Sequence, residues 1–193
     1  MKRNGREQKT RFAVLGMLTL QPMSGYDIRK SVEGSIAHFW NESYGQIYPI
    51  LKGLATDGLI TAHPSGNGFR NRQEYAITAE GRAALEAWLG TPPRKDVVRN
   101  ELLLKLFFAR NVPLERSLNH LDEYRRSQLA ELQHFRSMER DLVREHSTHR
   151  DLPYWLITLR FGIRHCEATI GWAEDALREL RRSAHSKRKA GSK

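Results

Sequence analysis

The sequence predicts a mainly α-helical protein with one small β hairpin, and three observations carry that prediction. First, residues 40–82 read as helix, strand, turn, strand, helix. Strand signals lie at 59–63 (Leu59, Thr61) and 72–78 (Tyr75, Ile77), and the segment between them is rich in Gly, Asn and Ser. Second, Leu152, Leu156, Leu159, Ile163, Cys166, Ile170, Ala173, Leu177 and Leu180 recur at alternating steps of four and three, a sustained heptad seam on one long helix. Third, the charge is uneven. Residues 1–95 hold 13 Lys/Arg against 8 Asp/Glu, 96–180 hold 13 against 14, and 181–193 hold 6 against none. A basic N-terminal half followed by a neutral helical half fits a winged helix-turn-helix joined to a helical dimerisation domain.

The elements follow in order. Residues 1–10 are polar and basic and are expected to be a disordered arm. The winged-helix domain is expected over 11–91. Phe12 to Leu20 is a compact apolar stretch that reads as a buried first helix stopped by Pro22. Ser24 is the expected N-cap of a second helix to about Val32, with Ile28 and Val32 inward and Arg29 and Lys30 outward. The third helix is expected to start near Asn41 or Ser43, where Ser43 and Gln46 have capping-box spacing. Ile47, Leu51 and Leu54 form its inner stripe, with Ile50 at the margin. Thr78 and Gly81 start a fourth helix that Gly90 to Pro93 closes.

The helical domain is expected over 92–180. Leu102, Leu103, Leu106 and Phe107 pattern one short helix, and Pro113 opens a long one to about His146 whose seam is interrupted by Arg125, Gln128 and Glu139. The last helix carries the unbroken seam. Its residues Leu152, Leu156, Leu159, Ile163, Cys166, Ile170 and Leu177 are the expected dimerisation contacts. Residues 181–193 are expected to be a disordered basic tail.

Composition narrows the function. The chain has 193 residues, 39% of them hydrophobic, and a net charge of +10. It can build a core, and it favours a polyanionic partner. Its one cysteine permits no disulfide framework within the chain. No signal peptide or membrane-length apolar run is evident, so a cytoplasmic protein that does not cross membranes is expected. There is no phosphate-binding glycine loop and no nucleophile elbow, so no enzyme and no cofactor is expected. His146 and His149 have spacing that suits a metal, but a polar helix end is the favoured reading, and no metal is assigned. Cys166 lies on the apolar seam and reads as a buried, inert thiol.

The third helix carries the candidate chemistry. A recognition helix buries one stripe and presents small or polar groups to the major groove. Here Gly45 and Gly53 keep the outer face low beside Tyr48 and Lys52. Gln46 is suited to an adenine edge, and Lys52 to a phosphate. Arg70, Asn71 and Arg72 lie where the tip of a wing meets phosphate or the minor groove. Ser43 and Tyr44 open the same helix. Double-stranded DNA is therefore the expected partner. The alternative is a basic interaction or membrane-surface module without sequence-specific binding.

These residues also carry a resemblance. Ser24 to Ile28, Tyr44 to Lys52, Asp57 to Ile60, and Tyr75-Ala76-Ile77-Thr78 with Gly81-Arg82 resemble motifs of the PadR family of bacterial transcriptional regulators. Glu101 to Phe108 and Gly171 to Leu177 resemble the virulence-activator-type C-terminal domain of one of its subfamilies. The resemblance implies a dimeric winged-helix regulator, usually a repressor, on a palindromic operator and relieved by a small molecule or other signal. It also implies that Tyr26 and Tyr48 meet the DNA. Two features depart from the family pattern: Gly53 stands where Arg is frequent, and the wing tip is longer and less Pro-rich. Phe39, Trp40, Trp88, Phe107 and Phe108, near the junction, are candidates to line an effector pocket, with core packing as the alternative.

Overall fold

The structure, a computed structural model, describes residues 5–37, 39–40, 47–64, 73–93 and 99–190, with side chains from 9 to 183. It divides into two compact units, Met1–Asp96 and Val97–Lys193. The elements run α1 (Gly5–Leu20), β1 (Met23–Ser24), α2 (Gly25–Glu33), α3 (Ile47–Thr56), β2 (Ile60–Pro64), β3 (Gln73–Ile77), α4 (Ala79–Leu89), α5 (Glu101–Phe107), α6 (Leu114–Glu145) and α7 (Leu152–Ala190). α1 thus begins inside the expected basic arm, and α7 continues past the expected end of its seam.

In the first unit α1, α2 and α3 bury Val14, Leu15, Leu18, Ile28, Val32, Ile47, Leu51 and Leu54 in one core closed by Ile60, Tyr75 and Leu85. Burial of such side chains is worth roughly 1.5–3 kcal/mol each before entropy is counted. α2 starts as its sequence dictates: Ser24 caps it, and Asp27 completes a capping box by accepting from the Ser24 backbone N–H at 3.3 Å. The sheet has the order β1-β3-β2, all antiparallel. β1, only two residues long, has no periodicity to announce it. It nevertheless ties the start of α2 to the hairpin, with Met23 opposite Tyr75.

One detail of the hairpin differs from expectation. The strand expected over 59–63, with Leu59 and Thr61 alternating, starts at Ile60, which is its buried residue, and Thr61 is exposed. The reason is the end of α3. Gly58 N–H donates to the Ala55 carbonyl at 3.1 Å and Leu59 N–H to the Leu54 carbonyl at 2.9 Å. With Gly58 at φ 72°, this is a Schellman turn. Leu59 belongs to that turn, and the strand starts one residue later, which reverses the alternation.

In the second unit Asn100 caps α5, and Pro113 opens α6. The seam of α7 is filled from within the chain. Leu159, Ile163 and Cys166 are buried with Leu132 and Phe135 of α6, and Met138, Leu142 and Ile170 pack alongside. Two of the polar interruptions of α6, Arg125 and Glu139, also have a role here. Arg160 pairs with Glu139 at 2.6 Å, Arg136 with Glu167 at 3.0 Å and Arg125 with Glu174 at 3.8 Å. These partners step in opposite senses along the two helices, so α6 and α7 are antiparallel. Exposed pairs of this kind contribute up to about 1 kcal/mol each, and their value lies in fixing register.

Candidate nucleic-acid interface

The exposed face of α3 is Tyr48, Pro49, Lys52 and Thr56, opposite buried Ile47, Ile50, Leu51 and Leu54. Tyr48 is 62% exposed, as is Tyr26 at the start of α2. The two helices meet closely. A Cβ added at Gly25 would lie 2.9 Å from Tyr48 Cε1 and 3.2 Å from Leu51 Cδ1. Gly25 therefore lets the Tyr48 ring rest over the first turn of α2. Tyr75 of the sheet is buried in the core of the same unit. Its hydroxyl donates to Gln73 Oε1 at 3.1 Å, and burial first, then nearby Tyr48, pushes its pKa up. Two exposed phenols and the Lys52 ammonium thus share one unit whose inner face is sealed. Such a surface offers hydrogen-bond donors and positive charge to a phosphate backbone.

The remaining residues expected at this interface, Ser43, Tyr44, Gln46, Arg70, Asn71 and Arg72, lie outside the described residues. Gly25 was missed in the sequence, where it is one residue of a motif; only the approach of Tyr48 reveals its role.

The chain's two halves each match a family pattern: that of the transcriptional regulator PadR-like family over residues 14–87, and that of the virulence activator alpha C-terminal domain over 98–181. The chain belongs to the PadR-like family of transcriptional regulators. It is 34% identical over 100 residues to the negative transcriptional regulator PadR of Bacillus subtilis (strain 168), a match spanning 51% of this chain and 55% of that protein. Its fold is similar to the crystal structure of Bacillus subtilis PadR in complex with operator DNA, with TM-score 0.78, 25% identity, 89% of this chain and 98% of that chain covered. The same relative in complex with p-coumaric acid gives TM-score 0.72 at 25% identity, covering 89% and 98%. The Vibrio cholerae virulence activator AphA gives 0.71 at 27%, covering 90% and 98%. The winged-helix fold is therefore that of DNA-binding regulators, and the family's members are not enzymes.

The aromatic residues expected around an effector have different surroundings. Trp88 stacks on Phe12 with ring centroids 4.7 Å apart and planes 6° apart. Trp40 packs against the core of the same unit, with Lys9 Nζ 5.7 Å from its ring centre. Packing explains both. Phe39 is exposed. Phe107 and Phe108 belong to the second unit, edge to face at 5.0 Å and both exposed. Phe108 does border a cavity of about 430 Å³, with Leu104, Leu106, Val112, Lys105, Arg116 and His120 among its walls. His146 and His149 pack around Trp155 at the α6–α7 corner, His149 stacked on it at 4.5 Å. Among the described residues no group of three His, Cys, Asp or Glu could hold a metal ion, and no helix is long and apolar enough to cross a membrane.

Proposed function

We propose that this chain is a homodimeric, sequence-specific transcriptional repressor that reads a palindromic operator with α3 and is released by a small molecule. The observation that carries this reading is the likeness over 89% of the chain to a PadR solved on its operator. The outward Tyr26, Tyr48 and Lys52 support it by supplying phosphate and groove contacts beside the wing. Promoter occlusion by two heads on two half-sites explains the need for a dimer.

The dimer contacts are proposed on a different face from the one expected. The seam from Leu152 to Leu177 is largely engaged by α6, whereas Tyr154, Ile157 and Phe161 are 65–70% exposed. Phe161 stands roughly 200° around the helix from Ile163, so these three form a second apolar stripe. Phe107 and Leu104 of α5 are exposed as well. A second copy covering these side chains would remove an apolar surface that monomers rarely expose.

For the signal, the cavity beside Phe108 combines apolar walls with Lys105 and Arg116. That chemistry suits an aromatic or aliphatic carboxylate. The relative bound to p-coumaric acid supports a ligand of this class.

Selection from a random duplex library, followed by gel shifts with the selected and scrambled duplexes, tests the proposal. A repeated two-fold-symmetric sequence bound well above the scramble is expected. Equal affinity for both would leave only a non-specific basic protein.

A further inference from the structure

Arg11 and Asp57 are 46 residues apart in sequence, yet Arg11 Nη2 lies 2.5 Å from Asp57 Oδ2. The Arg11 side chain is only 9% exposed. It leaves α1 and reaches the C-terminal end of α3, where Asp57 is the residue between the last helical position and the left-handed Gly58. A carboxylate there is unfavourable by itself, because it faces the negative end of the helix dipole. The guanidinium reverses that penalty and turns Asp57 into an anchor point.

The same corner is held from its other side. Thr78, the N-cap of α4, donates its hydroxyl to the Gly58 carbonyl at 2.8 Å, and its backbone N–H to the Leu59 carbonyl at 3.1 Å. A Cβ at Gly81 would collide with that Leu59 carbonyl. α4 and α1 are in turn joined by the Phe12–Trp88 stack, next to Arg11 itself. The end of α3 is thus gripped by two helices that are pinned together.

We infer that Arg11 is a positioning residue for DNA reading: through Asp57 it sets the pose of α3 without touching DNA. The inference rests on the proposal that α3 reads an operator. A helix with one end fixed presents its base-reading side chains at a constant depth and angle. Released from Asp57, α3 can tilt about its other contacts. Phosphate attraction tolerates a tilt, since it acts at range, while base contacts do not.

The experiment uses the full-length chain and the duplex it selects from a random library, beside a scramble of that duplex. Arg11→Gln and Asp57→Asn are each expected to lower affinity for the selected duplex roughly tenfold, the scale of one lost base contact. Affinity for the scramble should stay within about twofold, with an unchanged salt slope, because no phosphate contact is lost. Arg11→Lys should restore part of the discrimination, and the double variant should be no worse than either single one. A partially unfolded variant would instead lose affinity for both duplexes in proportion, and that outcome overturns the inference. So does a variant that keeps the full ratio, or a salt slope that falls by about one, which would make Arg11 a DNA contact. If the wild type selects no sequence, the operator-reading proposal fails with it; a wild type that discriminates beside variants that also do sinks this inference alone.

Discussion

Tyr48 lies over Gly25, with room for no more than a hydrogen between the ring edge and the first turn of α2. This contact sets how far the phenol projects from α3. Gly25→Ala should move the ring, a flexible exposed group, rather than the core, although Leu51 is also close. A stability loss of about 1 kcal/mol is expected, typical of a mild steric change. Affinity for the selected duplex should fall several-fold more than thermal melting alone would explain. Melting curves beside gel shifts read both quantities, and an unchanged affinity would deny Tyr48 a role at the interface.

Lys52 is exposed on the same face. Lys52→Ala should weaken binding to selected and scrambled duplexes alike, and should reduce the salt slope by about one. Titrations at several salt concentrations measure it. A loss confined to the selected duplex would instead make Lys52 a base reader.

The two stripes of α7 should respond oppositely to charge. Ile163→Asp buries a carboxylate against Leu132 and Phe135 and should cost several kcal/mol, enough to unfold the helical unit. Phe161→Asp lies outside that core and should leave a folded protein that no longer pairs. Light scattering with circular dichroism separates the two effects. A folded, dimeric Phe161→Asp protein would move the dimer contact elsewhere.

Acid should loosen the α6–α7 pair. Glu167 of α7 is held below the usual carboxylate range first by its hydrogen bond from Arg136 of α6, then by that from Arg164. A folded pKa below the unfolded one contributes stability that is complete above the unfolded value, about pH 4. That contribution is lost as pH falls through the folded value. Melting temperatures of wild type and Glu167→Gln should therefore differ at pH 7 and converge toward pH 3. A gap independent of pH would show that Glu167 contributes nothing through its charge.

Cys166 is buried on the seam, and burial pushes its thiol pKa up. Alkylation under native conditions should be slow and should accelerate on unfolding in denaturant, as thiolate and access are both lacking in the folded state. Rapid native labelling would mean that the helix pair opens readily.

The sequence by itself determined the local features. Ser24 caps α2 because the Asp27 N–H it accepts from lies within one turn. Pro113 and the heptad steps locate α6 and α7 because a helix repeats every 3.6 residues. The inner stripe of α3 and the outward Tyr48 and Lys52 follow from the same periodicity. Tertiary structure decided what each periodic face meets. A heptad seam states that a helix has a partner, and cannot state whether the partner is α6 or a second chain; here Leu132 and Phe135 fill it. The ion pair of Arg11 with Asp57, the seat of Tyr48 on Gly25 and the addition of β1 to the sheet join residues far apart in sequence. No spacing encodes them, because they arise only when the core of the first unit brings α1, α2 and α3 together.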